Sequence, residues 1–202
     1  RLQLDYIDLY LVHWTVTDID WDTCEVKGPP MYLLWKEMER VCEAGLTKSI
    51  GISNANFQMF LDIYAGTKIK PVINQIENNP YLAQTELVEF LKRFGCITTA
   101  YAPIRSASFT GNDILKDETL NVIAEKHNSS PAQISLAWNM TRSVTVIPKS
   151  ITQKRIKQNF ESLDIKLDNE DMEKINSLDC NRRKIDPINW NSKNFKHVPV
   201  FK

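Results

Sequence analysis

Five short apolar runs, each followed by a stretch of helical periodicity, constrain this chain more than any other feature. They are Ile7–Trp14, Ser49–Ser53, Val72–Glu77, Ile97–Ala102 and Val144–Ile147. The first and last read as strands covered on both faces, the pattern of a parallel sheet. The helical stretches between them carry one apolar stripe each. Met31–Cys42 places Met31, Leu34, Trp35, Met38, Val41 and Cys42 on one face, and Gly45 ends it. Asn56–Ala65 is closed by Gly66, and the helix bearing Leu87, Phe90, Leu91 and Phe94 is closed by Gly95. Thr119–His127 and Ser130–Met140 follow, the second with Ser130 as cap and Pro131 at its first position. Asp168 starts the last helix, to about Ser177, with Glu170 and Asp171 in its first turn.

Strands alternating with helices through short loops predict an α/β protein with a parallel sheet. A doubly wound dinucleotide-binding sheet requires G-x-G-x-x-G after its first strand. The glycines, at 28, 45, 51, 66, 95 and 111, never fall two apart, which argues against that architecture. A (β/α)8 barrel instead keeps its chemistry at the C-terminal ends of several strands. The polar residues stand there: His13, Ser53 and Asn54, Gln75, Tyr101 and Lys149. At roughly 30 residues per barrel unit, the chain is read as strands four to eight of a barrel, an incomplete barrel lacking the first three βα units. It begins with Arg1 rather than Met, and reads as a piece of something longer.

Composition narrows the function classes. Twenty-five basic and 25 acidic residues give a formal net charge of zero, which supports neither nucleic-acid nor membrane-surface binding. No apolar run approaches the roughly 20 residues of a membrane span, and no signal peptide is visible. Cys24, Cys42, Cys96 and Cys180 are scattered without a C-x-x-C pair and read as reduced thiols of a cytoplasmic protein. Sequons at Asn128 and Asn139 fall in helical surroundings and read as chance.

Ser143–Phe160, SVTVIPKSITQKRIKQNF, is the stretch with the most chemistry. Pro148 stops a strand, Ser150 and Thr152 are hydroxyls suited to capping the next helix, and Lys149 and Arg155 bracket its N-terminus. Backbone N–H groups, helix dipole and two cations together suit a phosphate. Read alone, the same pattern also describes an ordinary strand-turn-helix with solvated basic residues.

IPKS-x-T-x-x-R-I-x-x-N resembles the aldo-keto reductase segment that holds the adenosine 2′-phosphate of NADPH. The resemblance implies that Lys149, Ser150, Thr152 and Arg155 bind phosphate and ribose, and Asn159 the adenine. LDYIDLYLVHW is similar to the family's strand ending in the catalytic histidine, here His13, with Trp14 lining the substrate pocket. GISN and NQIE imply Ser53, Asn54 and Gln75 as ligands of the nicotinamide carboxamide, and AYAPI implies Tyr101 as the ring stacked on the nicotinamide. CNRRKIDPINW and KHVPVF resemble the C-terminal loop that closes over substrate. The chain departs from the common pattern at Thr15 (usually proline), Ala55 (phenylalanine), Ala102 (serine) and Gln158 (glutamate).

The implied function is NADPH-dependent reduction of aldehydes or ketones to alcohols by hydride transfer, with no metal and with a monomeric full-length form. Residues 1–178 would be the partial barrel and 179–202 its substrate-loop tail. The family's proton-donating tyrosine, with its lysine and aspartate, comes from the first three units and is expected to lie upstream of Arg1, so the 202 residues alone are expected to be inactive. The open edges of such a segment would favour poor solubility or dimerisation. The alternative is a non-enzymatic NADPH-binding module or regulatory subunit derived from the same family.

Overall fold

The structure, a computed structural model, describes residues 3–15, 19–20, 23, 25–105, 114–186 and 201. The chain divides into two compact units, one of residues 1–75, 90–97 and 185–202, the other of residues 76–89 and 98–184.

In the first unit, β1 (Ile7–Val12) is followed by a small antiparallel hairpin, β2 (Ile19–Asp20) and β3 (Glu25–Val26), which no sequence signal announced. Then come α1 (Met31–Glu43), β4 (Thr47–Ser53), α2 (Phe57–Gly66) and the start of β5 (Ile73–Glu77). β1 lies parallel to β4 from Ile7↔Thr47 to Val12↔Ile52, and β4 lies parallel to β5 at Ile52↔Asn74 and Ser53↔Gln75. These registers bring Val12, Ile52 and Asn74 level, with His13 just beyond β1, Ser53 at the end of β4 and Gln75 in the middle of β5.

Side-chain packing explains the helices. α1 buries Trp35 and Met38, and the Trp35 indole N–H donates to the Ile69 carbonyl at 2.9 Å. Gly45, at φ +73°, ends it in the left-handed cap that glycine adopts without strain. Asn56 caps α2 by accepting from the Met59 N–H at 2.9 Å. Phe57, Phe60, Tyr64, Phe90 and Phe94 form one aromatic cluster, with centroids 4.9 to 5.8 Å apart in mostly edge-on pairs. Such pairs add about 0.5–1.5 kcal/mol each beyond their buried area.

Two expectations need correction here. β1 is not covered on both faces: Leu9 and Tyr10, which as consecutive strand residues point to opposite faces, are both exposed. Gly66, expected to close the helix after Ala65, is instead the last residue of α2, and the Thr67 hydroxyl closes that helix by donating to the Ile63 carbonyl.

The second unit holds part of α3 (Thr85–Arg93), most of β6 (Ile97–Tyr101), α4 (Glu118–Lys126), α5 (Pro131–Thr141), β7 (Thr145–Val146), α6 (Gln153–Glu161) and α7 (Asn169–Asn176). Short 3-10 turns at Ile114–Lys116 and Ser162–Asp164 were not anticipated. β6 and β7 are parallel, paired at Thr99↔Thr145 and Ala100↔Val146. The main core joins Leu120 and Ile123 of α4, Ile134 and Trp138 of α5 and Ile175 of α7. Ser130 and Gln133 form a capping box on α5, and Asp168 and Asp171 form one on α7.

The expected strand Val144–Ile147 is shorter than its apolar run. Val144 is buried, but Ile147 is 48% exposed and Pro148 offers no N–H to extend the ladder. α6 buries none of its residues and leaves Ile156 and Phe160 exposed.

Candidate functional site

In the first unit His13, Ser53 and Asn54 stand at strand ends, whereas Gln75, expected at one, is the middle residue of β5; the main chain ties them together. Asn54 sits in the left-handed region at φ +61°, and its N–H donates to the Gln75 carbonyl at 2.9 Å. Its side-chain amide donates to the His13 carbonyl at 2.9 Å and to the Ser53 hydroxyl at 3.2 Å. The Ser53 hydroxyl gives its one proton to the Gln75 carbonyl at 2.7 Å, so the Ser53 oxygen faces further partners as an acceptor, which suits an amide N–H. Ser53 and Asn54 are buried, whereas His13 is exposed. The His13 ring lies beside Trp14 (centroids 5.9 Å), and Trp14 lies beside Phe201 (6.1 Å).

Sequence reasoning passed over Asn74, which is fully buried and grips Ala55 in both directions. Its amide donates to the Ala55 carbonyl at 2.9 Å, and its oxygen accepts the Ala55 N–H at 3.4 Å. The bend after β4 is therefore held by an asparagine that stands next to Gln75 in the NQIE motif.

The second unit contains a cavity of about 500 Å³. Lys149, Ser150, Arg155 and Asn159 all line it, together with Gln158; Thr152 does not. The predicted capping is also different. No side chain caps α6, and the Ser150 hydroxyl instead accepts from the Thr152 N–H at 3.2 Å. Hydroxyls three or so residues before a helix can close a local turn in place of a cap. The consequence is a helix N-terminus without a side-chain acceptor, flanked by two cations that have no carboxylate partner among the described residues. Such a terminus attracts anions through its N–H groups and dipole.

Tyr101 ends β6. Burial, and then the nearby Glu77 carboxylate, push its phenol above the ordinary tyrosine range, with Arg183 acting in the opposite sense. Glu77 is itself fully buried and accepts the Lys184 N–H with both oxygens, at 2.9 and 3.1 Å. Lys184 lines the same cavity, so a carboxylate inside the unit fixes the start of the C-terminal segment. The rest of the expected substrate loop, residues 187–200, lies outside the described residues, as does Cys24. Cys42, Cys96 and Cys180 are free thiols.

Residues 1–179 match the Aldo/keto reductase family. The chain belongs to the aldo/keto reductase family. Aldose reductase B of Dictyostelium discoideum is 41% identical over 99% of the chain, which spans 66% of that relative. The NAD(P)H-dependent D-xylose reductase I,II of Candida tropicalis is 34% identical over 99% of the chain and 68% of its own length. Among solved structures, the aldo-keto reductase AKR2E5 of the silkworm, Bombyx mori, complexed with NADPH, superposes with a TM-score of 0.84 at 27% identity. That match covers 97% of the chain and 61% of the silkworm protein. The chain thus has the barrel-like (β/α) fold of aldo/keto reductases, oxidoreductases that act on carbonyl groups. Among the described residues no helix is long and apolar enough to cross a membrane.

Proposed function

We propose that the protein is an NADPH-dependent aldo/keto reductase that converts aldehydes or ketones to alcohols. The observation that carries this reading is the cavity wall built from Lys149, Ser150, Arg155 and Asn159 at the uncapped N-terminus of α6. Two cations without a carboxylate partner among the described residues, at a helix N-terminus that no side chain caps, suit a phosphate monoester, and the 2′-phosphate is the group that separates NADPH from NADH. Thr152 would act through the shape of the turn. Asn159 would face the adenine, and Ser53, Asn54 and Gln75 would hold the carboxamide.

When bound, the reduced nicotinamide supplies the hydride that adds to the carbonyl carbon. The carbonyl oxygen gains negative charge as this happens and needs hydrogen-bond donors. His13 suits this, since imidazole donates a hydrogen bond while neutral. Its main chain is held by Asn54. Trp14 beside it would form an apolar wall of the substrate site. A proton must also reach the oxygen, and Tyr101 is a poor donor, because burial and Glu77 strengthen its hold on its proton. Its ring is proposed to stack on the nicotinamide. Tyr10 lies three positions before His13 in the chain and points to the opposite face of β1.

With the purified protein, NADPH absorbance should fall only when an aldehyde or ketone is added. NADPH binding without consumption on any carbonyl would instead favour a non-enzymatic cofactor-binding module. The protein is proposed to be cytoplasmic and monomeric.

A further inference from the structure

Glu77 is the last residue of β5 and is fully buried, and both oxygens of its carboxylate accept the Lys184 N–H, at 2.9 and 3.1 Å. A neutral amide of the same size would also accept an N–H, and burying a charge is costly. What the charge adds lies on the donor's side. Arg182, Arg183 and Lys184 are three consecutive cations, and Lys184 enters a cavity wall that already holds Arg105, Lys149 and Arg155, with no carboxylate among its described lining residues. Like charges gathered on one wall repel one another. The residues just before Lys184 are fastened to neutral oxygens. The Tyr81 carbonyl accepts the Cys180 and Arg182 N–H groups at 3.4 and 3.0 Å, and Arg183 donates to the Gln84 side-chain oxygen at 3.1 Å. Arg105 in turn donates to the Arg182 carbonyl. A hydrogen bond to an ionised acceptor is about twice as strong as one between neutral groups, so Glu77 holds the point where the repulsion is greatest.

We infer that Glu77 is a positioning residue for cofactor binding: its carboxylate seats Lys184, and with it the end of the 179–184 segment, on the cavity wall before a dinucleotide arrives. The inference rests on the dinucleotide reading above. Glu77 does not itself line the cavity, so it acts through the segment it holds. The sign of its effect separates this role from a bystander's. A negative charge near an anion site opposes the anion, so removing one that acts only through space tightens NADPH binding. Removing one that seats the wall weakens it, because apparent affinity falls with the fraction of molecules whose wall is in place.

Glu77→Gln tests this in the purified protein, by calorimetric titration of NADPH and NADH with hydrogen exchange followed at the Lys184 and α5 amides. Exchange at Lys184 should speed up by roughly ten- to a hundredfold, while the α5 amides, which report global opening, stay within about threefold. Both cofactors should weaken, by about tenfold when the seated wall falls to about a tenth of the molecules. Cofactor binding that tightens or stays unchanged overturns the positioning role and leaves the 2′-phosphate reading intact, as does an unchanged exchange rate at Lys184. Equal acceleration at Lys184 and in α5 marks a merely structural residue and also overturns it. Wild-type protein that binds neither cofactor overturns the dinucleotide reading and this inference together. Should Glu77→Gln fail to fold, the bond is broken from its other end. Lys184→Pro removes the N–H, and Lys184→Ala, which keeps it, is the control. The Pro variant should bind both cofactors about tenfold more weakly than the Ala variant, and equal affinities contradict the assignment.

Discussion

The side-chain amide of Asn54 donates to the main-chain carbonyl of His13 at 2.9 Å, so the residue after β4 holds the residue after β1. A buried amide that loses such a partner costs about 1–3 kcal/mol. Asn54 is also left-handed, at φ +61°. Asn54→Gly therefore removes the side-chain hydrogen bonds to His13 and Ser53 without straining the backbone, while Asn54→Ala adds backbone strain of roughly 1–2 kcal/mol. Urea unfolding should rank wild type above Gly and Gly above Ala. Equal stability of the two variants would show that the backbone is not strained there.

Gly51 stands where β4 passes closest to its neighbours. A Cβ built on it would lie 2.7 Å from the Leu11 side chain and 2.8 Å from the Ile73 carbonyl oxygen. The carbonyl is backbone and cannot swing away, so Gly51→Ala should destabilise by about 1–3 kcal/mol. Gly66→Ala is the control, since nothing lies within 4 Å and no left-handed φ is required. It should be neutral or stabilising by about 0.5–1 kcal/mol. The comparison is read from unfolding midpoints, and a tolerated Gly51→Ala would refute the close approach.

The α4–α7 contact should respond to acid. Asp171, almost fully buried, accepts from Lys126 at 2.7 Å and contacts the His127 ring at 2.7 Å, and Lys126 also reaches Asp168 at 2.6 Å. Burial raises the Asp171 pKa, but these hydrogen bonds outweigh it and hold the carboxyl below its ordinary value. Asp168 is lowered as well, chiefly by its bond to Lys126. A carboxylate depressed in the folded state adds stability above its unfolded pKa of about 3.9 and loses it as pH falls through the folded value. Wild-type stability should therefore drop faster than that of Asp171→Asn below roughly pH 4. Parallel slopes in chemical unfolding at pH 3 to 5 would remove the latch from the account.

How far the fold could be read in advance depended on what each signal measures. Ser130 and Asp168 act locally, through their own helix N-termini, and cap where they were expected, while Asn56, read as the first residue of its helix, caps it instead. Gly45 and Gly95 are left-handed while Gly66 is not, because the amino acid permits that conformation without requiring it. The apolar run of β1 advertised burial on two faces, yet burial depends on neighbours that a single segment cannot specify. That Lys149, Ser150, Arg155 and Asn159 line one cavity was legible because they fall within one turn and helix. Asn74, Glu77 and Arg105 were missed for the opposite reason. Their partners are distant in the chain: Glu77 meets Lys184, and Arg105 meets Arg182.

Tyr101 should matter through its ring and not through its proton. Tyr101→Phe keeps the aromatic face and should leave NADPH affinity within about threefold, while Tyr101→Ala should weaken it about tenfold. Fluorescence titration distinguishes them. A large loss in Tyr101→Phe would give the hydroxyl a direct part in cofactor binding.

The central claim is that Lys149 and Arg155 hold a 2′-phosphate at the start of α6. It is tested most directly by titrating NADPH and NADH into wild-type and Arg155→Met protein, followed by tryptophan fluorescence at two salt concentrations. One charge-assisted hydrogen bond is worth roughly 1.5–3 kcal/mol, so NADPH binding should weaken by roughly ten- to a hundredfold. NADH binding should be nearly unchanged, and added salt should weaken NADPH more than NADH, because Arg155 is exposed and its pairing is screened. If Arg155→Met weakens both cofactors equally, the residue is structural and the 2′-phosphate assignment is wrong.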